Sequence, residues 1–292
     1  SVTVTFKGPD YELRAAASAL AAQKIVDELP SGISGTPLRL RVGIGSGKTR
    51  ILILGDDIQR LVLAGGWAAH NAMLAQGRAD PGAVLLGRRM AEKLRDRAVL
   101  DPANDDFFEL KSLATWPERE PNVDIEAGLA DQVEEKITLL EPFVPAPLAA
   151  RLKQMPDGWR IEGELRQVVV VFAEVTGFNR GNERLGFAGV GDVLRSHRRY
   201  GGVQFKFDLA PSGHRTLSLF GLHAPTDNDA ERAVLGCLET MAELKSRLEE
   251  APEIQVRMGI HVGEVYFGAI GSKHRYDITV IGDVVNVAAR AS

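Results

Sequence analysis

Apolar positions fall into two rhythms along the chain. At PLRLRVGI (37–44), RILILG (50–55), RLVLA (60–64), QVVVVFAEV (167–175) and DITVI (277–281) they alternate or run together and are rich in Val, Ile and Leu, which predicts strands. Within DYELRAAASALAAQKIVDEL (10–29) and DNDAERAVLGCLETMAELKSRLEE (227–250), alanines and leucines recur at helical spacing, which predicts two long helices. A strand pattern ending at Phe6 or Phe220 precedes each of these helices. After RLVLA and DITVI the chain passes through Gly into a further helix.

Between the first two strands lies VGIGSGKT (42–49), close to the phosphate-binding loop G-x-x-x-x-G-K-[ST]. The first glycine of that loop would fall at Val42, and such a loop has to open a helix, whose N-terminal N–H groups help to hold the phosphates. Here the chain continues TRILILGDD, so strand, glycine-rich turn and strand predict a hairpin. A shift of 216 positions lays RVGIGSGKTRILILG (41–55) over RMGIHVGEVYFGAIG (257–271). Arg41, Gly43, Ile44, Gly47 and Gly55 meet Arg257, Gly259, Ile260, Gly263 and Gly271, while Lys48 meets Glu264, so the lysine is not part of what repeats. The flanking helices and strands repeat as well. Two homologous domains are expected, 1–114 lacking its beginning and 166–292 lacking its end, joined by a proline-punctuated connector over 115–165. Alternating strands and helices with hairpins predict an α+β fold, an antiparallel-rich sheet with helices on one face.

Composition narrows the setting. The 292 residues suffice for two domains, and 35 basic against 39 acidic residues, a net charge of −4, ask for neither nucleic acid nor an anionic membrane as partner. The apolar run at 167–175 is too short to span a bilayer. A single cysteine, Cys237, excludes an internal disulfide and fits a reducing, cytoplasmic compartment. With no signal peptide and no initiator Met, SVTVTF starts in mid-pattern, as expected of a piece of a longer protein. The six histidines show no metal-ligand spacing, and His197, His223, His261 and His274 are expected to be surface or structural residues.

RMGIHVGEVYFGAIGSKHRYDITVIGDVVNVAARAS (257–292) resembles the core signature of the class III nucleotidyl cyclases, and VVVVFAEVTGF (168–178) resembles that family's first strand and turn. The tandem arrangement, with EPFVPAPL in the connector, resembles the soluble, bicarbonate-responsive type of adenylyl cyclase and its bacterial relatives. The resemblance implies two ferredoxin-like cyclase domains forming a pseudo-symmetric pair within the chain. It also implies ATP as substrate, cyclic AMP and pyrophosphate as products, and two Mg²⁺ or Mn²⁺ ions as cofactors. Asn286 would orient the ribose and Arg290 would stabilise the transition state. Four positions apart, they share one helix face, for which a merely solvated face is the competing account. Lys206, counted back from Phe220–Gly221, would donate to adenine N1; otherwise it is an edge-strand charge. Thr279, seven residues before Asn286, would accept from the adenine amino group. Asp277, in RYDI, is the competing candidate, although two extra residues separate it from Asn286.

At the metal site the chain departs from the family. The first-strand aspartate is replaced by Glu174, and the second falls at His214, a poor ligand type for Mg²⁺. No metal ligand is therefore assigned in this chain, and the cation pair is expected to be held by aspartates upstream of Ser1. In the first copy, Ala69 and Met73, or His70 and Leu74, stand where the family carries Asn and Arg. The family's anion-binding arginine would lie within 65–74, which contains none, so bicarbonate sensing is not expected. Alone, the chain is expected not to cyclise ATP. A pseudocyclase that binds nucleotide and regulates an attached module is the alternative.

Overall fold

The computed structural model describes residues 3–30, 35, 37–118, 133–154, 163–177, 183–210, 213–272 and 275–292. Residues 119–132 and 155–162 of the expected connector, Phe178 and His274 lie outside the described residues. The chain divides into two compact units, Ser1–Leu52 with Ala64–Ile125, and Ile53–Leu63 with Glu126–Ser292.

In the first unit α1 (Tyr11–Asp27) precedes β1 (Val42–Ile44), and α2 (Trp67–Arg78), β4 (Val84–Gly87), α3 (Arg88–Leu94), β5 (Ala98–Pro102) and β6 (Phe107–Leu113) follow. Between them runs the hairpin of β2 (Arg50–Gly55) and β3 (Arg60–Gly65), whose residues 53–63 belong to the second unit. The first sheet has the order β1-β4-β6-β5, with β1 and β4 parallel. Leu13, Ala16 and Ala17 of α1, spaced for one helical face, pack with Val84, Leu86, Met90 and Leu94. From the sheet's other face, Leu85 and Phe107 pack with Ala75 and Ala79.

The second unit contains α4 (Val133–Leu140), α5 (Ala146–Lys153), β7 (Glu164–Thr176), α6 (Glu183–Arg199), β8 (Val203–Ala210) and β9 (Gly213–Phe220). It continues through α7 (Asp229–Glu250), β10 (Gln255–Ser272), β11 (Arg275–Ile281) and α8 (Asp283–Ala291). Its antiparallel sheet has the order β11-β10-β7-β9-β8. The valine run of β7 faces both ways. Val168 and Val170 join Leu217, Leu219, Val284 and Ala288, while Val169 and Val171 join Phe220, Ala233 and Cys237. Helix α8 thus covers one face and α7 the other, which corrects the expectation of helices on one face only. An unbroken apolar strand needs cover on both sides.

The repeat is visible as matched local geometry. Helices α2 and α8 start at Trp67 and Asp283, the same 216 positions apart, so His70 and Leu74 stand opposite Asn286 and Arg290. A Cβ on Gly43 would lie 2.0 Å from the Ala72 carbonyl oxygen, and one on Gly259 would lie 2.2 Å from that of Ala288, again 216 positions on. Glycine is required at both places because a helix backbone rests directly on the strand.

Two expectations are corrected. VGIGSGKT is not a hairpin turn. In the second copy its counterpart lies inside one continuous strand, β10, whose first part pairs with β7 and whose last part pairs with β11. In the first copy β1 pairs with β4 and β2 pairs with β3, so residues 45–49 break the strand, and the hairpin turn falls at 56–59. Gly47, at φ 149°, provides backbone freedom at that break. Because β2 rather than a helix follows Lys48, no phosphate loop forms there. Residues 3–7 form no strand. Their counterpart β9 is held between β7 and β8, and no ladder partner of that kind flanks 3–7 among the described residues.

Candidate functional site

Helix α8 follows Gly282, which is extended at φ 174°. It docks through Val284 and Ala288, both buried, four positions apart and therefore on one face. Asn286 is two positions out of phase with that face, about 200° round the helix, and Arg290 lies one turn further on. Both are exposed. Packing therefore takes one side of the helix and leaves this Asn–Arg pair on the other.

Strand β11 leads into that helix. Ile278 and Val280 pack toward the core, and Thr279 points to the opposite side of the strand yet is only 7% exposed. Asp277, on the same side as Thr279, is exposed. Lys206 is half-buried on β8, the opposite edge strand of the same sheet, with β9, β7 and β10 between. It pairs with Leu217, so it faces the side on which Leu217 and α8 pack. Chain order places Asp277 and Thr279 on the edge strand that leads into the helix bearing Asn286 and Arg290, but on the face of the sheet away from that helix. Lys206 shares a face with α8 but not a neighbouring strand. A cavity lined by Asp57, Ile58, Glu141, Val144, Ala149 and Lys153 contains none of these residues.

Glu174 and His214 do not fit a pair of Mg²⁺ or Mn²⁺ ions. The Glu174 side chain is 4% exposed and is held by Arg215, with Nε at 3.1 Å and Nη2 at 3.0 Å, and by Arg257 Nη2 at 3.3 Å. Its negative charge is already balanced by two guanidinium groups. His214 stacks on Phe207 with ring centroids 5.5 Å apart and lies 5.4 Å from the Phe187 ring. Burial lowers its pKa to about 4. No group of three or more His, Cys, Asp or Glu is placed to hold a metal ion among the described residues. Arg215 escapes a reading by motif because its partner lies on another strand; Arg257 carried one signal, its repetition of Arg41.

Residues 212–292 match the family model of the adenylate and guanylate cyclase catalytic domain. Adenylate cyclase type 10 of Homo sapiens is 24% identical over 300 residues, covering 88% of this chain and 17% of its own length. That of Oryctolagus cuniculus is 28% identical over 288 residues, with the same coverage of 88% and 17%. The chain thus spans under a fifth of these relatives. An uncharacterised protein of Mycobacterium tuberculosis is 31% identical over 151 residues, 49% of this chain and 26% of its own. Among solved structures, a bacterial light-regulated adenylyl cyclase aligns with a TM-score of 0.47 at 20% identity, over 70% of this chain and 75% of that one. Among the described residues, no helix is long and apolar enough to cross a membrane.

Proposed function

From the match of residues 212–292 to the adenylate and guanylate cyclase catalytic domain, and the similarity of the chain to adenylate cyclase type 10, we propose that it is part of a tandem-domain adenylate cyclase. Its two domains, 1–114 and 166–292 about the connector 115–165, are taken as ferredoxin-like halves of a pseudo-symmetric pair within one chain, working in the cytoplasm. The observation that carries this is the Asn286–Arg290 pair, exposed on α8 while Val284 and Ala288 fix the helix to the sheet.

In the reaction the ribose 3′-oxygen loses its proton and bonds to the α-phosphorus. The bond from that phosphorus to the bridging oxygen breaks, and pyrophosphate leaves. Asn286 orients the ribose. Arg290 stabilises the charge that grows on the α-phosphoryl oxygens, because its planar fork stays charged and donates in two directions. Lys206 is assigned as the donor to adenine N1. Thr279, with Asp277 as the alternative, is the acceptor that the resemblance implies for the adenine amino group, but it lies on the other face and at the far edge of the sheet, so this arrangement does not bring both to one base. A donor at Lys206 favours ATP over GTP, since guanine N1 is itself a donor. The divalent cations the reaction uses, Mg²⁺ or Mn²⁺, would be held by residues outside these 292, and the chain alone does not cyclise ATP.

The arginine-neutralised Glu174 also favours a second account, a pseudocyclase that binds nucleotide without chemistry. Cyclic AMP formation by the full-length protein, assayed from ATP with Mn²⁺, separates the two. In an active protein Arg290→Ala should lower turnover by about 10²–10³, the usual loss of one preorganised transition-state donor. Unchanged turnover would remove Arg290 from the mechanism.

A further inference from the structure

Strand β8 carries one residue more than β9. Val203 and Gln204 pair with Leu219 and Ser218, then Lys206, Phe207 and Asp208 pair with Leu217, Thr216 and Arg215, and Phe205 is the extra residue. Cross-strand partners point to the same side of a sheet. Lys206 therefore goes with Leu217 to the α8 side, while Gln204 goes with Ser218 toward His197 of α6. Were Phe205 paired in regular register with Leu217, Lys206 would pair with Thr216 and turn to the α6 side, because a slip of one position exchanges the faces. The bulge decides which face the lysine serves.

A bulge interrupts the ladder, and here side chains take the backbone groups it frees. Gln204 Nε2 donates to the carbonyl oxygens of Lys206 at 2.8 Å and Leu217 at 2.9 Å. Gln59 Nε2 donates to the carbonyl oxygen of Gln204 at 2.7 Å. The two carbonyls fix which way round the Gln204 amide lies, so its Oε1 accepts from Ser218 Oγ at 2.8 Å. Ser218, its proton committed, accepts from His197 Nδ1 at 2.7 Å, and His197 Nε2 is left facing Cys237 Sγ at 3.7 Å. Gln204, Ser218, His197 and Cys237 are 3%, 0%, 1% and 7% exposed, so every link is shielded from water. Burial lowers the His197 pKa to about 4, so at neutral pH the ring is neutral, with the proton on the Nδ1 that faces Ser218.

We propose that Gln204 is a positioning residue for base recognition: wired through Ser218 and His197 to Cys237, its amide holds the bulge that presents Lys206 on the α8 side of the sheet. This rests on the assignment of Lys206 as the donor to the purine.

Calorimetric titration of the full-length protein with ATP and with GTP, in Mn²⁺, tests it without requiring turnover. Gln204→Leu should weaken ATP binding about tenfold and GTP binding less than twofold, and Ser218→Ala should act in the same direction by about threefold. As a control, Thr240→Val removes a buried hydroxyl bonded at 2.8 Å to the Gly236 carbonyl oxygen within α7; it should lower the melting temperature and leave the ATP-to-GTP ratio alone. Lys206→Ala is the reference. If it abolishes the ratio while Gln204→Leu and Ser218→Ala preserve it, the role of Gln204 is overturned. If Lys206→Ala changes nothing, or the unaltered protein binds no ATP, the assignment of Lys206 fails and the proposal with it. Should Gln204→Leu fail to fold, Ser218→Ala decides, and an unchanged ratio there counts as refutation.

Discussion

His197 and His214 are neutral in the folded protein for the same reason: burial penalises the charged ring and lowers each pKa to about 4. In the unfolded chain a histidine titrates near 6.5, so between these values the unfolded state binds protons that the folded state does not. Stability should therefore fall as pH drops from about 6.5 to about 4 and level off below that, by roughly 3 kcal/mol for each histidine. Urea unfolding at several pH values reads this directly, and His197→Asn should flatten part of the slope. A pH-independent midpoint across that window would contradict the assignment. Glu174, by contrast, is buried with two guanidinium groups as neighbours, so removing either arginine would leave a buried carboxyl short of a partner.

At the scale of an element, the contact between α8 and β10 is set by one missing methyl group. A Cβ on Gly259 would sit 2.2 Å from the Ala288 carbonyl oxygen and 2.7 Å from the Ser292 nitrogen, both backbone atoms that cannot rotate away. Gly259→Ala should cost about 1–3 kcal/mol, read as a lower melting temperature. In an active protein it should also lower turnover, because Asn286 and Arg290 travel with the helix. The glycine spacing that carries this contact was legible in the sequence, as were helices α1 and α7 and strands β3 and β11. Each is a local pattern. What the sequence withheld depends on pairing. Nothing in VGIGSGKT tells whether its flanking strands pair with each other or with β4 and β3. The valines of β7 do not show that helices lie on both sides. The bulge at Phe205 is a mismatch between two strands and is invisible in either one. Of the candidate site, the helix after Gly282 and the shared face of Asn286 and Arg290 were legible from spacing, while their roles came only from the family resemblance; the bonds around Gln204 and Glu174 were not legible, because their partners come from elsewhere in the fold.

At the scale of the whole molecule, residues 53–63 group with the second unit. Arg198 grips Asp56 with two nitrogens, at 2.9 Å and 2.5 Å, and its guanidinium holds the Asp56 carboxyl well below the usual carboxylate range. Both side chains are about a third exposed, which limits the pair to roughly 0.5–1 kcal/mol. Asp56→Asn should accordingly speed amide hydrogen exchange over 53–63 by about two- to fivefold, and raised salt should do the same to the unaltered protein. Exchange indifferent to both changes would mean that the ion pair does not fasten the hairpin.

Leu54 packs against the cluster of Val175, Val190, Ala251 and Ile254, and Gln59 completes the bonding of Gln204. A polypeptide shortened to 126–292 would lose both, leaving a gap beside that cluster and a carbonyl in need of a donor. No single cut separates this protein into self-sufficient modules. Any recombination or trimming that treats the second half as portable must carry an eleven-residue loan from the first.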